Sequence, residues 1–444
     1  MQILFLSNFY PPYAIGGYEQ WCQEVADRLQ ARGHQITVLT SRYGLQASGQ
    51  VAAPTTAATQ PNVIRTLYLQ ADLAYYQPLD FFWQRRQQER TNQQELRRVI
   101  EQTKPDILMV WGMWNLSHNL PYWAEQWLPG RVAYFISSYW PTDVDPHTHY
   151  WQLPTRRRLA QAIKGPLRHW ALTQLQREGY PPQLRFEHAV CCSHYVRDTL
   201  VQAGKLSAQA GVLLGGSDPA PFLRYARHAD LAPNEPLRLV YFGRLIHDKG
   251  VHTAIEALSV LKRRGVAASF HLTILGSGHP DYEAKLHELV QTLDLAAQVQ
   301  FVRQVPRDEI PQWLGRFDVF LFTSIWPEPM ARSVIEAMAA GLLVIGTEVG
   351  GQTEMLVHNE NALTFGAEDA VKLATHLHYA LGHPMQRARL AQAGQQMVLD
   401  RFTLDRMVND VEAYLLDLPY TTHSATFCAT SVLRDGRQSV ASDA

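Results

Sequence analysis

Residues 326–354 read WPEPMARSVIEAMAAGLLVIGTEVGGQTE, and the rest of the chain takes its meaning from them. Two carboxylates, Glu328 and Glu336, stand eight positions apart with Pro329 between them. An apolar helical pattern then runs to Gly341, followed by a short apolar strand, Leu342 to Ile345, and the pair Gly350–Gly351. The pattern is a loop feeding a helix whose first N–H groups lack intrahelical partners and can hold an anion. Glu328 sits in the loop at the mouth, and Glu336 lies about one turn into the helix, a turn taking roughly 3.6 residues. A carboxylate beside an anion site repels the anion unless it serves another part of the same ligand. A ligand with both a phosphate and a polyol resolves the conflict, the carboxylates accepting hydrogen bonds from hydroxyls. Nucleotide sugars have that composition.

Outward from this stretch, strand-like apolar runs alternate with helical patterns, as in parallel sheets covered by helices. Ile3–Ser7, Ile36–Thr40, Ile107–Trp111, Val132–Ser137 and Ala189–Ser193 are the candidate strands of the first half. A helix from about Glu19 to Arg32 places Trp21, Val25 and Leu29 on one face and stops at Gly33. In the second half Leu237–Phe242, Phe270–Leu275, Val299–Val302, Val319–Phe322 and Leu343–Gly346 repeat the theme. Glycine and proline interrupt it at LLGGSDPAPF (213–222). The expectation is an α/β protein of two Rossmann-like domains, 1–215 and 216–400, with the ligand cleft between them at the carboxyl ends of the strands.

At 444 residues the chain is long enough for two domains, each with its own core. A net charge of −1 speaks against a nucleic-acid binder, which carries a basic excess. Four cysteines show neither metal-ligand spacing nor a disulfide framework, so a cytoplasmic location is expected. MQILFLSNFY reads as a buried first strand rather than a leader, and no run reaches the roughly 18–20 apolar residues of a membrane span. Two segments exceed a minimal domain. Residues 41–62, rich in Ala, Thr, Gln and Gly, suggest a loop. Residues 146–177 hold Arg156, Arg157, Arg158, Lys164, Arg168 and Arg177 with no acidic residue, and Leu159, Ile163, Leu167 and Trp170 at roughly helical spacing broken by Gly165–Pro166. Such a stretch, 154–177 above all, is either a solvated helical excursion or a peripheral contact with an anionic membrane or phosphorylated acceptor.

The quoted stretch resembles the E-x7-E motif of retaining glycosyltransferases of the large GT-B family 4. YPPYAIGGYEQ (10–20), ARGHQITVLT (31–40), GRLIHDKG (243–250), ILGSG (274–278) and GTEVGGQTE (346–354) follow in the family's order. The resemblance implies a GT-B fold, with a helix over 401–418 crossing back to the N-terminal domain; residues 419–444, polar and without apolar periodicity, are expected to be a disordered tail. It implies sugar transfer from a nucleotide-diphosphate sugar to a hydroxyl acceptor, with retention, no cofactor and no metal. Arg244 and Lys249, after a strand and framed by Gly243 and Gly250, are fixed cations for the departing diphosphate. By resemblance Glu336 accepts the ribose hydroxyls and Glu328 meets those of the sugar. The backbone at Met330, Ala331 and Arg332 approaches the diphosphate, Gly16 and Gly17 bring N–H groups near the donor, Gly276 lies near the nucleotide, and the base lies against Val302–Val305.

The chain departs from the family at two places. Met330–Ala331 stands where relatives commonly have Phe-Gly, and Ala tolerates this only at ordinary backbone angles. Relatives often carry His-Asp-Tyr-Trp-Pro after the fourth strand, where this chain has Ser137–Ser138–Tyr139–Trp140–Pro141. Ser137 keeps a hydrogen bond but holds no positive charge. His118 is a substitute candidate, and Asp143 and Asp145 are candidates for orienting an acceptor hydroxyl. The Ser137 change leaves an inactive nucleotide-sugar binder as one rival, and a nucleotide-sugar epimerase of the same fold is another. Tyr75, Tyr76, Phe81, Phe82 and Trp83 read either as exposed aromatics suited to a lipid-linked or polysaccharide acceptor, or as core.

Overall fold

The computed structural model describes residues 1–45, 61–73, 76–154, 158–226, 235–303 and 305–419, with the backbone alone for 158–163. Most of the loop expected at 41–62, the tail beyond Pro419, Tyr75, Arg156 and Arg157 lie outside the described residues. Two parallel sheets form, their central strands short, largely apolar and buried on both faces. The first comprises β1 (Gln2–Ser7), β2 (Gln35–Ser41), β3 (Asn62–Leu67), β4 (Ile107–Gly112), β5 (Val132–Ile136), β6 (His188–Cys191) and β7 (Gly211–Val212), in the order 3-2-1-4-5-6-7. The second comprises β8 (Leu237–Phe242), β9 (Phe270–Leu275), β10 (Val299–Val302), β11 (Val319–Phe322), β12 (Leu343–Thr347) and β13 (Ala362–Phe365), in the order 10-9-8-11-12-13. Strand order reverses between β1 and β4 and between β8 and β11, and a ligand crevice opens at such reversals beyond the strands' carboxyl ends.

Helix α1 (Gly17–Ala31) buries Trp21, Cys22, Val25, Ala26 and Leu29 against the first sheet. Each of the larger side chains contributes about 1.5–3 kcal/mol by leaving water. Gly33, at φ +94°, ends the helix by turning left-handed, a conformation that costs glycine nothing. The final helix leaves the second domain and lies on α1, burying Met407, Val408, Val411 and Leu415. Arg32 donates to Asn409 at 2.7 Å, and His34 meets Glu412 at 2.8 Å across the same seam. These polar contacts are partly exposed and contribute little, so apolar burial fixes the crossing.

A satellite core of Phe81, Trp151, Ala171, Leu175 and Tyr180 forms between α2 (Pro78–Trp83), α3 (Pro146–Gln152) and α4 (Arg158–Arg177). The interruption expected at Gly165–Pro166 does not occur, and α4 runs through Pro166. Proline deletes one ladder hydrogen bond, and Gly165, lacking a Cβ, removes the clash that usually bars the helical region before proline. Lys164 pins this turn by donating to the carbonyls of Tyr150 (2.7 Å) and Leu153 (2.8 Å). No helix among the described residues is long and apolar enough to cross a membrane.

Gly276 adopts φ +146°, and a Cβ there would overlap the Gly243 carbonyl oxygen of the neighbouring strand end. Gly276→Ala should therefore lower the unfolding free energy by roughly 2–4 kcal/mol, from strain plus a backbone clash. Gly366→Ala, with open space around it, should stay within about 0.5 kcal/mol of wild type. Urea unfolding of the two variants checks this, and equal midpoints would remove the close-approach explanation.

Candidate active site

The second sheet's crevice is built by two loops that hold each other. The turn His247–Lys249 after β8 ends at Gly250, φ +61°, whose missing Cβ leaves room for the Thr323 carbonyl. The Thr323 hydroxyl donates to the Lys249 carbonyl at 2.8 Å, and the Ile325 N–H to the Asp248 carbonyl at 2.8 Å. The loop after β11 is thus tied to the turn after β8. The result is a direct pair, Lys249 Nζ to Glu328 Oε1 at 2.6 Å, with both side chains largely enclosed. Arg244 stands exposed nearby, and its charge is felt at Tyr18 of the first domain, where it opposes the rise that burial imposes on the phenol's pKa. Gly276 lies where the ends of β8 and β9 touch, which accounts for that glycine by packing, whereas a Cβ on Gly243 would meet the Tyr241 side chain of its own strand.

The loop from Pro327 to Ala331 runs between the domains. Tyr139 donates its hydroxyl to the Pro327 carbonyl (2.7 Å) and Ser193 to the Pro329 carbonyl (2.8 Å), both from the first domain. The Gly351 N–H reaches the Glu328 carbonyl at 2.8 Å, and a Cβ on Gly350 or Gly351 would collide with these carbonyls. Met330 is buried, and Ala331 has φ −81°, an ordinary angle at which alanine is unstrained. Glu354 accepts from the N–H groups of His194 and Tyr195, at the start of the helix His194–Gln202 in the other domain.

Helix Arg332–Ala339 carries Glu336, which is 1 % exposed. Its carboxylate accepts from Arg307 Nη1 at 2.8 Å and from Nη2 of the same guanidinium, from Arg332 Nε at 2.8 Å, and from the Ser217 hydroxyl at 3.4 Å. Arg332 turns its other nitrogens to Glu24 of α1, at 2.8 and 2.5 Å. Burial alone would raise the Glu336 pKa, but Arg307 and Arg332 overcome it and hold the acid below its usual range. Arg332 is therefore spent on two carboxylates rather than open to a phosphate. Gly17, at the start of α1, packs in ordinary contact with the Arg332 side chain, and the Gly16 N–H is taken by Glu19 at 2.9 Å.

Ser137 follows β5 as a buried residue whose hydroxyl has no hydrogen-bond partner among the described residues. His118 packs edge-on against Trp140, its pKa lowered to about 4 by burial and then by Lys205. Asp145 is a helix cap, accepting from the N–H groups of His147 and Thr148. Of the segment expected near the base, Val302 and Val305 are described and residue 304 is not. A cavity of about 770 Å³ opens in the first domain, walled by Tyr13, Arg42, Tyr76, Asp80, Phe81 and Gln84 among others.

A family model described as glycosyl transferases group 1 matches residues 226–397, and one described as Glycosyltransferase Family 4 matches residues 15–209. The chain is a group 1 glycosyltransferase with the GT-B fold. It is a hexosyltransferase-type enzyme. It is 34 % identical over 183 residues to the amylovoran biosynthesis glycosyltransferase AmsK of Erwinia amylovora, a match covering 39 % of this chain and 42 % of AmsK. It is 24 % identical to the glycogen synthase of Mycobacterium tuberculosis over 90 % of this chain and 91 % of the relative. Anabaena Alr3699/HepE, solved in complex with UDP, shares the fold at TM-score 0.65 and 19 % identity, over 94 % of this chain and all of HepE.

The sequence of the enzyme assigns no role to Arg307, Glu24, Ser193, Tyr139 or Glu354. Each acts on a partner far along the chain, 308 positions for Glu24 with Arg332, and no local spacing announces such a pair. Because the folded enzyme holds Glu336 at a depressed pKa, the unfolded chain binds the proton first. The stability this carboxylate supplies is complete above the ordinary glutamate value of about 4.3 and is lost as pH falls through the folded value. Urea unfolding between pH 7 and pH 3 should thus give a shallower acid slope for Glu336→Gln than for wild type, and parallel curves would contradict the assignment. Arg332→Ala, which leaves a buried carboxylate short of a partner, should cost about 3–5 kcal/mol at pH 7 in the same experiment.

Proposed function

We propose that the enzyme moves the sugar of a nucleotide-diphosphate sugar onto a hydroxyl acceptor with retention and without a metal ion. The observation that carries this reading is the Lys249–Glu328 pair at the second sheet's point of strand reversal, with Arg244 exposed beside it. As the diphosphate departs it gains negative charge, and Lys249 and Arg244 are cations already in place for it. Glu328 accepts from the sugar's hydroxyls. Glu336 accepts from the ribose, whose hydroxyls take the place of Arg307, the more exposed of its two guanidinium partners at 40 % against 9 %. Attack comes from the face the diphosphate leaves, its oxygen receiving the acceptor's proton. Retention and metal independence rest on the family resemblance.

HepE binds UDP, which puts uridine donors first in order of trial, and the likeness to AmsK supports a role in polysaccharide biosynthesis. The same proposal includes a cytoplasmic location with peripheral contact to the inner face of a membrane through residues 154–177. The buried unpaired thiols of Cys22, Cys191 and Cys192 and the acid-free basic stretch support it. Ser137 favours one rival, an inactive binder, because a serine cannot supply the charge of the histidine that relatives often carry there.

Release of nucleoside diphosphate from a panel of UDP-, GDP- and ADP-sugars, with no acceptor added, tests the proposal. One donor should be cleaved slowly, unaffected by EDTA, and Lys249→Ala or Arg244→Ala should reduce the rate by about 10²–10³-fold. Donor binding without turnover across the panel would leave the inactive binder standing.

A further inference from the structure

We infer that His247, His252 and Glu368 form a binding site for one metal ion of the zinc class, structural in role and separate from the donor chemistry proposed above. An imidazole nitrogen from each histidine and a carboxylate oxygen of Glu368 all lie within 4.8 Å of one another. The three residues come from different places in the second domain. His247 opens the turn after β8, His252 stands in the first turn of helix Val251–Arg263, and Glu368 precedes helix Ala370–Gly382 after β13. The two helices pack side by side, and their starts bring the three side chains together. The turn itself is already fixed, through the hydrogen bonds of Thr323 and Ile325 to its carbonyls.

His252 has the outer partner that a metal-bound histidine needs. Its Nδ1 lies 2.8 Å from the hydroxyl of Tyr282, a ring only 8 % exposed. With Nδ1–H donating to that oxygen, the Nε2 lone pair is left for the ion and the ring is held in place. Nε2 stands 3.6 Å from Glu368 Oε1, too long for a hydrogen bond. The spacing is close to the roughly 3.3 Å between two ligands of a tetrahedral zinc, whose bonds are about 2.0–2.1 Å. His247 is exposed, so its ring can turn to close the remaining gap. Glu368 adopts φ +62°, a left-handed conformation that glycine would take without strain, yet a carboxylate stands there. Two imidazoles and one carboxylate select zinc, nickel or cobalt over magnesium and calcium, which take oxygen ligands. The two helix starts oppose a cation, but Asp248 and Glu256 add negative charge that is felt at Tyr282. The ion ties the turn after β8, in the middle of the sheet, to the loop after β13 at its edge. Lys249 keeps its pair with Glu328, so the clasp steadies the turn that carries it without touching the donor.

Calorimetric titration of the full chain, free of any affinity tag, with zinc chloride tests the site. Wild type should bind one ion per chain, and about a ten-fold excess of magnesium should not displace it. His252→Ala and Glu368→Ala should each weaken zinc by about 100-fold, and Tyr282→Phe by about ten-fold through the lost orientation of His252. With zinc at about 100 times its Kd, the thermal unfolding midpoint of wild type should rise by roughly 5 °C, and that of His252→Ala should not move. Acceptor-free donor cleavage by His252→Ala should stay within about two-fold of wild type, with or without EDTA, which shows that the variant is folded. No binding by wild type, equal binding by His252→Ala, or displacement by magnesium overturns the site. Donor cleavage that zinc restores to EDTA-treated wild type overturns its structural role. Zinc binding by a wild type that cleaves no donor would instead defeat the transferase reading and leave the metal site intact.

Discussion

Three successive carbonyls, those of Pro327, Glu328 and Pro329, lie in the seam between the domains, and each is satisfied by a different element. Tyr139 and Ser193 come from the first domain, and Gly351 from the second. A buried carbonyl left without a donor costs about 1–3 kcal/mol, so the loop keeps its shape only while both domains are docked on it. Glu328 is thereby a property of the pair of domains rather than of either one. The glycines opposite follow from the same contact, since nothing larger fits where Gly350 and Gly351 meet the loop. Glu354 strengthens the seam by accepting from the start of a helix in the other domain, where the N-terminal dipole favours a carboxylate.

Glu24, Arg332, Glu336 and Arg307 form a second bridge across the same seam. A buried ion-pair network adds little net stability compared with apolar packing, because desolvation offsets the attraction. It is costly to leave half-made, however, and that property suits a ligand site. On the proposed reading, a ribose whose hydroxyls donate to Glu336 takes the place of Arg307 and leaves Arg332 with Glu24. Donor binding and the contact with α1 are then coupled through one guanidinium.

Strands β8 to β11 match the runs in the sequence residue for residue, because a mostly buried parallel strand leaves a predominantly apolar run, broken at most by one or two polar residues, between glycines and polar turns. The missed strands have no such word. NVIRTL of β3 mixes polar residues and has a single buried side chain at an outer position, β7 is two residues long, and β13 is a four-residue edge. The site divides in the same way. Arg244, Lys249, Glu328 and Glu336 stood out because local motifs carry them, whereas the arginines that occupy Glu336 depend on tertiary contact. The aromatic run at 76–83 was ambiguous for a physical reason as well. A short amphipathic helix buries Phe81 and exposes Trp83, and composition cannot say which ring faces in.

On the proposed function, in which Lys249 faces the departing diphosphate and Glu328 the sugar, their pairing has a consequence for catalysis. A lone ammonium in the crevice would be free to swing into water, and ordering it at each turnover would erode what its charge contributes. The carboxylate 2.6 Å away holds it in place, at the cost of neutralising it in the resting enzyme. Sugar hydroxyls that donate to Glu328 compete for the lone pairs that hold the ammonium, and so return part of the charge to the diphosphate side. On this account Lys249 is strongest as a cation when a sugar with correctly placed hydroxyls is bound. Recognition of the sugar and stabilisation of the leaving group are then one electrostatic event rather than two.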